Sequence, residues 1–332
     1  MPEKLPGEFE FIRNINRLFL PLVPSGTEGI GDDCAVIPLG NGELLTVTTD
    51  MLVEGTHFLR HRITAFELGF KSLAVNLSDA AAMGATPAAS FLSIALPADI
   101  APAWAEGFLH GYKSLSEEFG VPLLGGDTTS SQTGLTVNVT VLGKVSAREI
   151  KRRNAARAGD AVCVTGVLGD SAVGLKLLTE ATEYAKEEHK LIRMHHTPKP
   201  WVKEGAWLGT QEAVHAMMDV SDGIASDLRH ILNASGVGAR IELSRLPLSP
   251  EMTKVCRERG WNPERAAAEG GEDYVLLFTA DAEECNGLQK DFQARFGAGF
   301  TVIGEIAAGK PGIEWYRNGI RVPEDFRGYE HF

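Results

Sequence analysis

Aspartates set among small residues are the feature of this sequence best suited to chemistry. One aspartate beside Gly or Thr is typical of a turn or a helix N-cap. Here, however, Asp50, Asp127 and Asp222 each follow an apolar run, and open α/β sheets bind ligands beyond the carboxyl ends of their strands. The segments concerned are GIGDDCA (29–35), TVTTDMLVEGTHF (46–58), NLSDAAAMGA (76–85), GGDTT (125–129) and DVSDG (219–223).

Asp79 stands among residues that are nearly all apolar or small, where an unpaired buried carboxylate would be costly without a cation. Carboxylates without accompanying His or Cys favour Mg²⁺ over zinc or iron. Several such ions would let a chain of formal charge -12 hold phosphates. They would also polarise a γ-phosphate during in-line transfer. The residues therefore predict a magnesium-dependent site for phosphate chemistry.

Composition and missing motifs narrow the class of protein. An apolar fraction of 44% and a charged fraction of 23% are typical of a globular protein, and the net charge of -12 argues against nucleic acid as a partner. The P-loop, protein-kinase and G-x-S-x-G motifs are absent, so an ATP enzyme would use another scaffold. The cysteines form no C-x-x-C pair, and the sequence shows neither a signal segment nor an apolar run that could span a membrane. We expect a cytoplasmic protein.

The hydrophobic periods predict an α/β fold with mixed sheets and two domains, residues 1–150 and 151–332. The polar and basic segment 146–160 separates two stretches in which strand-like and helix-like periods alternate. Predicted strands cover residues 43–49, 88–96, 135–145, 161–167, 239–243, 273–279 and 300–306, and predicted helices cover 64–83, 101–119, 170–186 and 200–212, with another beginning near 224.

The aspartate segments belong to a longer series that resembles one family. GEFEFI, GIGDDCAV, TTDMLVEGTHF, K-x-LAVNLSDAAAMGA-x-P, GGDTT, DVSDGIASDL, GGEDYVLLF and the terminal GYEHF occur in the order found in thiamine-monophosphate kinases, which belong to the superfamily of aminoimidazole ribonucleotide synthetase. The resemblance runs from Gly7 to Phe332. It implies ATP-dependent phosphorylation of thiamine monophosphate to thiamine diphosphate. It also implies a homodimer whose N-terminal domains form a shared β-barrel, with ATP between the domains.

The resemblance also implies roles for individual residues. Several Mg²⁺ ions would be held by Asp33, Thr48, Thr49, Asp50, Asp79, Asp127, Asp219 and Asp222, the threonines partly through their backbone. ATP would contact Gly126, Asp127, Arg153 and Ser221, and thiamine monophosphate would contact His57, Glu272 and Tyr329. Asp50 and Asp222 would serve catalysis directly, in an in-line transfer without a phosphoenzyme. A requirement for a monovalent cation stays open.

Each of these roles has a simpler alternative. His57 could be an ordinary hydrogen-bonded histidine, Tyr329 a core aromatic, and Arg153 one solvated charge in a basic run. The sequence also departs from the family where it has Val275 in place of Glu and P-K-P-W (198–201) in place of P-x-P-R. Alternatives for the whole chain are another ATP enzyme of the superfamily, a non-catalytic metal-binding dimer, and a metal-dependent phosphohydrolase.

Overall fold

The structure, a computed structural model, describes residues 7–329 of the 332-residue chain. The first stretch contains α1 (Glu8–Phe19), β1 (Ala35–Gly40), β2 (Glu43–Val53), α2 (Ala65–Ala82), β3 (Thr86–Pro97), α3 (Pro102–Phe119), β4 (Leu123–Ser131) and β5 (Thr136–Ser146). The second contains β6 (Ala161–Val164), α4 (Asp170–Glu180), α5 (Lys186–His196), α6 (Val202–Gly209), β7 (Val214–Asp219), α7 (Ile224–Ser235), β8 (Gly238–Glu242), α8 (Pro250–Arg259), α9 (Pro263–Glu269), β9 (Leu276–Ala280), α10 (Cys285–Phe296), β10 (Thr301–Ala307), β11 (Gly312–Arg317) and β12 (Ile320–Arg321).

Two mixed sheets organise these elements. A five-stranded sheet has the order β1-β2-β5-β3-β4, in which β3 and β4 alone run parallel. A seven-stranded sheet has the order β12-β11-β8-β10-β6-β9-β7, in which β8 and β11 alone run parallel. The predicted mixed α/β fold is confirmed. In the described part of one chain the smaller sheet stays open, with β1 and β4 at its edges, so a barrel would need strands from a second chain.

Helix α2 is buried on nearly all sides, between the five-stranded sheet, α3, α6 and β7. A capping box fixes its start: Thr64 Oγ1 accepts from the Glu67 N–H, and Glu67 Oε2 accepts from the Thr64 N–H. Helices α2 and α3 approach closely through two glycines. A Cβ at Gly69 would lie 1.9 Å from the carbonyl oxygen of Phe108, so Gly69→Ala would force the helices apart.

Two strands differ from their predicted form. The GGD segment, in which Asp127 was expected to follow a strand, lies inside β4, where Gly126 and Asp127 pair in parallel with β3. Strand β2 continues past the predicted end at residue 49 to Val53, so Asp50 lies within a strand rather than after it. Pairing with neighbouring strands overrides the local turn preference of Gly and Asp in β4.

The predicted helix 170–186 is two helices, α4 and α5, separated at residues 181–185.

Helix α1 was not predicted and lies largely on the surface. None of its residues is buried, although Phe9 contacts the ring of His230 at a centroid distance of 5.2 Å. Its apolar side chains, among them Phe11 and Leu18, are exposed. Such a surface is typical of an interface with another chain.

No helix among residues 7–329 has the length and apolar character needed to cross a membrane.

The free energy of unfolding should depend on pH through Asp170, the first residue of α4. Asp170 is buried, and the Ser249 hydroxyl donates to its Oδ1 at 2.6 Å. Burial raises the pKa of Asp170 from 3.8 to about 6. The folded protein therefore binds this proton more tightly than the unfolded chain, and stability falls as pH rises through that window. Asp170→Asn should remove this slope and add on the order of 1–3 kcal/mol at pH 7.

Urea unfolding from pH 4 to pH 7 measures this slope. The exposed Asp291 on α10 offers a matched control, because Asp291→Asn removes a solvated carboxylate and should leave the profile unchanged. An Asp170→Asn profile with the wild-type slope would contradict the assignment.

Candidate active site

Strand β2 and helix α2 together supply the first acidic side chains of the site. Thr48 and Asp50 share one face of β2 because strand residues alternate. The Thr48 hydroxyl donates a hydrogen bond to Asp79 Oδ2 on α2, and the Asp50 N–H donates to Asn76 Oδ1 at 3.1 Å. These bonds fix the register of α2 on the sheet, so Asp50 and Asp79 come close together.

Asp79 belongs to a carboxylate cluster drawn from both sheets. Carboxylate oxygens of Asp33, Asp79 and Asp219 all lie within 4.8 Å of one another. Asp33 precedes β1, and Asp219 ends β7, where the Ser78 hydroxyl donates to its Oδ2 at 2.6 Å. Asp33 Oδ2 is buried and has no hydrogen-bond partner among the described residues. Three carboxylates at this spacing, with one oxygen unsatisfied, form a donor set of the kind that a hard divalent cation prefers.

Burial and mutual repulsion govern the protonation of this cluster. Burial, and after it the charges of Asp33 and Asp50, raise the pKa of Asp219 to about 8. The same two causes raise the pKa of Asp79 well above its usual value and that of Asp50 to about 6. The charged forms are therefore unfavourable without a counter-ion. A cation that enters the cluster would displace protons and restore the charged carboxylates.

Arg153 lies against the cluster rather than in solvent. The Arg153 guanidinium contacts Asp33, and the Arg153 backbone N–H donates to Asp32 Oδ2 at 3.1 Å. The Arg153 side chain is only 18% exposed, which argues against one solvated charge among several. Arg153 partly neutralises the acidic residues that precede β1. Its predicted contact with ATP stays a prediction.

A cavity of about 360 Å³ adjoins the cluster and is lined by half of the predicted site residues. Every predicted substrate-binding residue lines it, as do both predicted catalytic aspartates. The two halves of the chain both contribute to its wall. The predicted residues in the wall are Asp50, His57, Asp79, Ser221, Asp222, Glu272 and Tyr329.

His57 and Tyr329 are held in this cavity by backbone contacts. The Val53 N–H donates to His57 Nδ1 at 3.0 Å, so the neutral ring carries its proton on Nε2. The Tyr329 N–H donates to the carbonyl oxygen of Asp222 at 2.9 Å, which ties the C-terminal segment to the DVSDG turn. The Tyr329 ring is 50% exposed, so it is not a core aromatic.

The GGEDY segment crosses the DVSDG turn in a strained conformation. Glu272 and Tyr274 have φ values of 61° and 52°, a region that non-glycine residues avoid. Their N–H groups donate to the carbonyl oxygens of Ser221 and Val220 at 2.7 and 2.8 Å. A Cβ at Gly271 would lie 2.5 Å from the Ser221 oxygen, so the close approach requires glycine there. Strain of this kind persists where surrounding structure enforces it, and it places Glu272 in the cavity wall.

Three predicted residues lie elsewhere. Gly126 and Asp127 are exposed on β4 and border a separate groove next to α3. Because β5 and β3 intervene between β2 and β4, Asp127 lies about 14 Å from Asp50 by the strand spacing. Thr49 faces the opposite side of the sheet, where its Oγ1 donates to the Val139 carbonyl oxygen at 3.2 Å. Only the backbone of Thr49 is left for a metal.

Several residues of the site were not predicted. Lys71 lies eight residues before Asp79, two turns along the same face of α2, so helical spacing could have indicated it. His195, on α5, lines the cavity without any local sequence signal. Asp227 is buried on α7 and accepts from the Asp222 N–H at 3.2 Å. Burial raises the pKa of Asp227 well above its usual value.

Comparisons with known proteins agree with this geometry. The family models described as AIR synthase related protein, N-terminal domain and C-terminal domain, match residues 31–145 and 157–316. The thiamine-monophosphate kinase of Salmonella typhimurium is 39% identical over 329 residues, which cover 98% of each chain. That of Escherichia coli strain K12 is 40% identical over 309 residues, which cover 92% of this chain and 91% of the relative.

Among solved structures, AaThiL complexed with AMPPCP and TMP is similar with a TM-score of 0.86, 33% identity and full coverage of both chains. The thiamine-monophosphate kinase of Stenotrophomonas maltophilia has a TM-score of 0.76 and 35% identity, over 94% of this chain and 96% of its own. The chain is therefore an AIR synthase-related protein of two mixed α/β domains. Within that class, it belongs to the thiamine-monophosphate kinase family.

The carboxylate cluster should make the metal-free protein less stable than it could be. Asp79→Asn removes a buried carboxyl group whose raised pKa costs folding free energy, so the melting temperature without divalent cations should rise by several degrees. The stabilisation that Mg²⁺ gives the wild-type protein should then shrink or disappear. Thermal unfolding with and without Mg²⁺ measures both effects, with exposed Asp291→Asn as control. A wild-type Mg²⁺ response in Asp79→Asn would contradict the metal assignment.

Proposed function

We propose that this chain transfers the γ-phosphoryl group of ATP to thiamine monophosphate and forms thiamine diphosphate. The observation that carries the proposal is the meeting of a buried carboxylate cluster with a cavity lined by His57, Glu272 and Tyr329. Relatives 39% and 40% identical are thiamine-monophosphate kinases. A structural neighbour complexed with AMPPCP and TMP supports two phosphorylated ligands in this fold.

We infer that Mg²⁺ ions bind at the carboxylates. The donor set fits, because it offers buried oxygens without His or Cys and leaves Asp33 Oδ2 unsatisfied within the described chain. Bound Mg²⁺ would neutralise phosphate charge and polarise the γ-phosphate. The Mg²⁺ would be held in the cluster by Asp33, Asp79 and Asp219. The side chains of Asp50 and Asp222 add further carboxylates to the wall of the adjoining cavity.

The transfer itself needs position more than proton chemistry. The acceptor is a phosphate monoester whose second pKa is about 6, so at neutral pH it is already largely ionised and needs no strong base. Direct in-line attack on the γ-phosphate then follows from holding the two phosphates in line, without a phosphoenzyme. Arg153 and Ser221 would contribute to the nucleotide side of the site, since both border the acidic residues.

The remaining cavity wall suits the organic part of thiamine monophosphate. Tyr329 offers an exposed aromatic ring on which a cationic thiazolium can stack. His57 can donate from Nε2, since Nδ1 is occupied by the Val53 N–H. Glu272 offers a carboxylate that can accept from an amino group. A cation with hydrogen-bond donors fits this combination better than a neutral acceptor does.

We also propose a homodimer, because one chain does not bring all the predicted ATP contacts together. Gly126 and Asp127 lie on the edge strand β4, beside a groove of about 550 Å³ lined by apolar side chains such as Leu124. Exposed apolar residues on α1, β1 and β4 leave a surface that a second copy would cover. Pairing of two open sheets would form the expected barrel and would carry Asp127 of one copy to the site of the other.

A coupled assay for ADP with ATP, Mg²⁺ and a panel of acceptors tests the activity. Asp50→Asn should abolish turnover at saturating Mg²⁺, because the change removes a carboxylate from both the acidic wall and the cavity. Near-normal kcat in this variant would defeat the assignment. ADP release that depends on an acceptor other than thiamine monophosphate would reject the proposed substrate.

Mixed dimers test the shared site. Asp50→Asn and Asp127→Asn should each be inactive alone. Random mixing should then restore about a quarter of wild-type activity, because half the dimers carry one intact site of two. Activity that stays at the level of the separate variants, under conditions where subunits exchange, would show that Asp127 acts within its own chain or not at all.

A further inference from the structure

Lys71 on helix α2 is a fully buried lysine, with 0% of its side chain exposed. It lies two turns before Asp79 on the same face of the helix, with Val75 between them. A buried ammonium group is costly unless a counter-ion accompanies it. The acidic group that lies closest to the Lys71 ammonium group is therefore expected to be its counter-ion.

That group is Glu272. Lys71 Nζ lies 3.1 Å from Glu272 Oε1, and the described part of the chain gives Nζ no hydrogen-bond acceptor of standard geometry. The lysine does not line the cavity, whereas Glu272 does. Lys71 therefore lies behind Glu272 and can influence a bound molecule through that carboxylate, but does not touch the molecule itself.

His195 holds the other carboxylate oxygen. Its Nδ1 lies 3.0 Å from Glu272 Oε2 and 3.0 Å from the Ser171 hydroxyl oxygen. Burial lowers the pKa of His195 well below its usual value, and the charges of Lys71 and His196 lower it further. The ring is therefore neutral at pH 7, and its 3.0 Å approach to Oε2 favours the tautomer with the proton on Nδ1, because a carboxylate can only accept.

We propose that Lys71 is a positioning residue which, together with His195, fixes the Glu272 carboxylate so that it selects an acceptor bearing an amino group and a positive charge. Lys71 Nζ and His195 Nδ1 each lie close to a different oxygen of this carboxylate, which offers about four lone-pair positions in all. The remaining positions stay available to the cavity. The strained backbone at Glu272, with φ of 61°, is the cost of placing the carboxylate there. This inference rests on the proposed function.

Lys71→Met tests the proposal by removing the charge while keeping the volume. Without its counter-ion, Glu272 loses its orientation, so the KM for thiamine monophosphate should rise about 10- to 100-fold. The KM for ATP should stay within about twofold, because the ion pair of Lys71 is with Glu272 and not with a carboxylate of the cluster. Lys254→Met removes a half-buried lysine of α8 whose ion pair, with Glu187, lies outside the cavity, and it should change neither constant.

A double variant separates positioning from mere stability. Lys71→Met with Glu272→Gln leaves no unpaired buried charge, so it should fold even if Lys71→Met alone does not. Because Lys71 acts through Glu272, the double variant should have the same KM for thiamine monophosphate as Glu272→Gln, within about twofold. A further rise of about fivefold or more would overturn the proposal, as would equal changes in both KM values for Lys71→Met.

The outcome also separates this inference from the proposed function. A wild-type protein that does not phosphorylate thiamine monophosphate would refute the proposed activity. An active wild type whose Lys71→Met variant keeps its KM for thiamine monophosphate would refute only the positioning role.

Discussion

Four acidic side chains lie in one interior region, where repulsion between charges is much stronger than in water. They belong to Asp33, Asp50, Asp79 and Asp219. Each is fixed by a different element, namely the turn before β1, strand β2, helix α2 and the end of β7. The hydroxyls of Thr48 and Ser78 donate to two of them. The packing of α2, which is buried on nearly all sides and carries Asp79, must help to offset the repulsion.

The same constraint links the two sheets. Ser78 on α2 donates to Asp219 at the end of β7, and Lys71 on α2 pairs with Glu272 just before β9. His196 on α5 likewise lies 3.6 Å from Glu67 in the first turn of α2. Polar contacts of this kind join the halves where the site lies. Assembly of the acidic site and docking of the two halves are therefore one event, and cations bound there would stabilise both.

The structure brings several predicted aspartates together, each from a segment with a distinctive local pattern. Asp50 and Asp79 converge as expected, because small neighbours allow close packing around buried charges. Asp127 does not join them within one chain. Its strand β4 forms through pairing with β3 and not through the strand preference of its own residues, two of which are glycine. His195 could not be predicted, because α5 meets the cavity only through tertiary packing. Lys71, by contrast, could have been predicted, because its spacing from Asp79 places both residues on one face of a helix.

Two departures from the family pattern, Trp201 and Val275, prove to be neighbours. A Cβ on Gly166 would lie 2.5 Å from Val275 Cγ1 and 3.0 Å from Trp201 Cζ2, so both side chains pack on the same glycine. The resemblance implies Arg and Glu at these positions, where two charged side chains would each need hydrogen-bond partners. A tryptophan and a valine pack beside Gly166 without burying charge. The two changes are therefore linked, because both side chains fill the space beside one glycine beneath GGEDY.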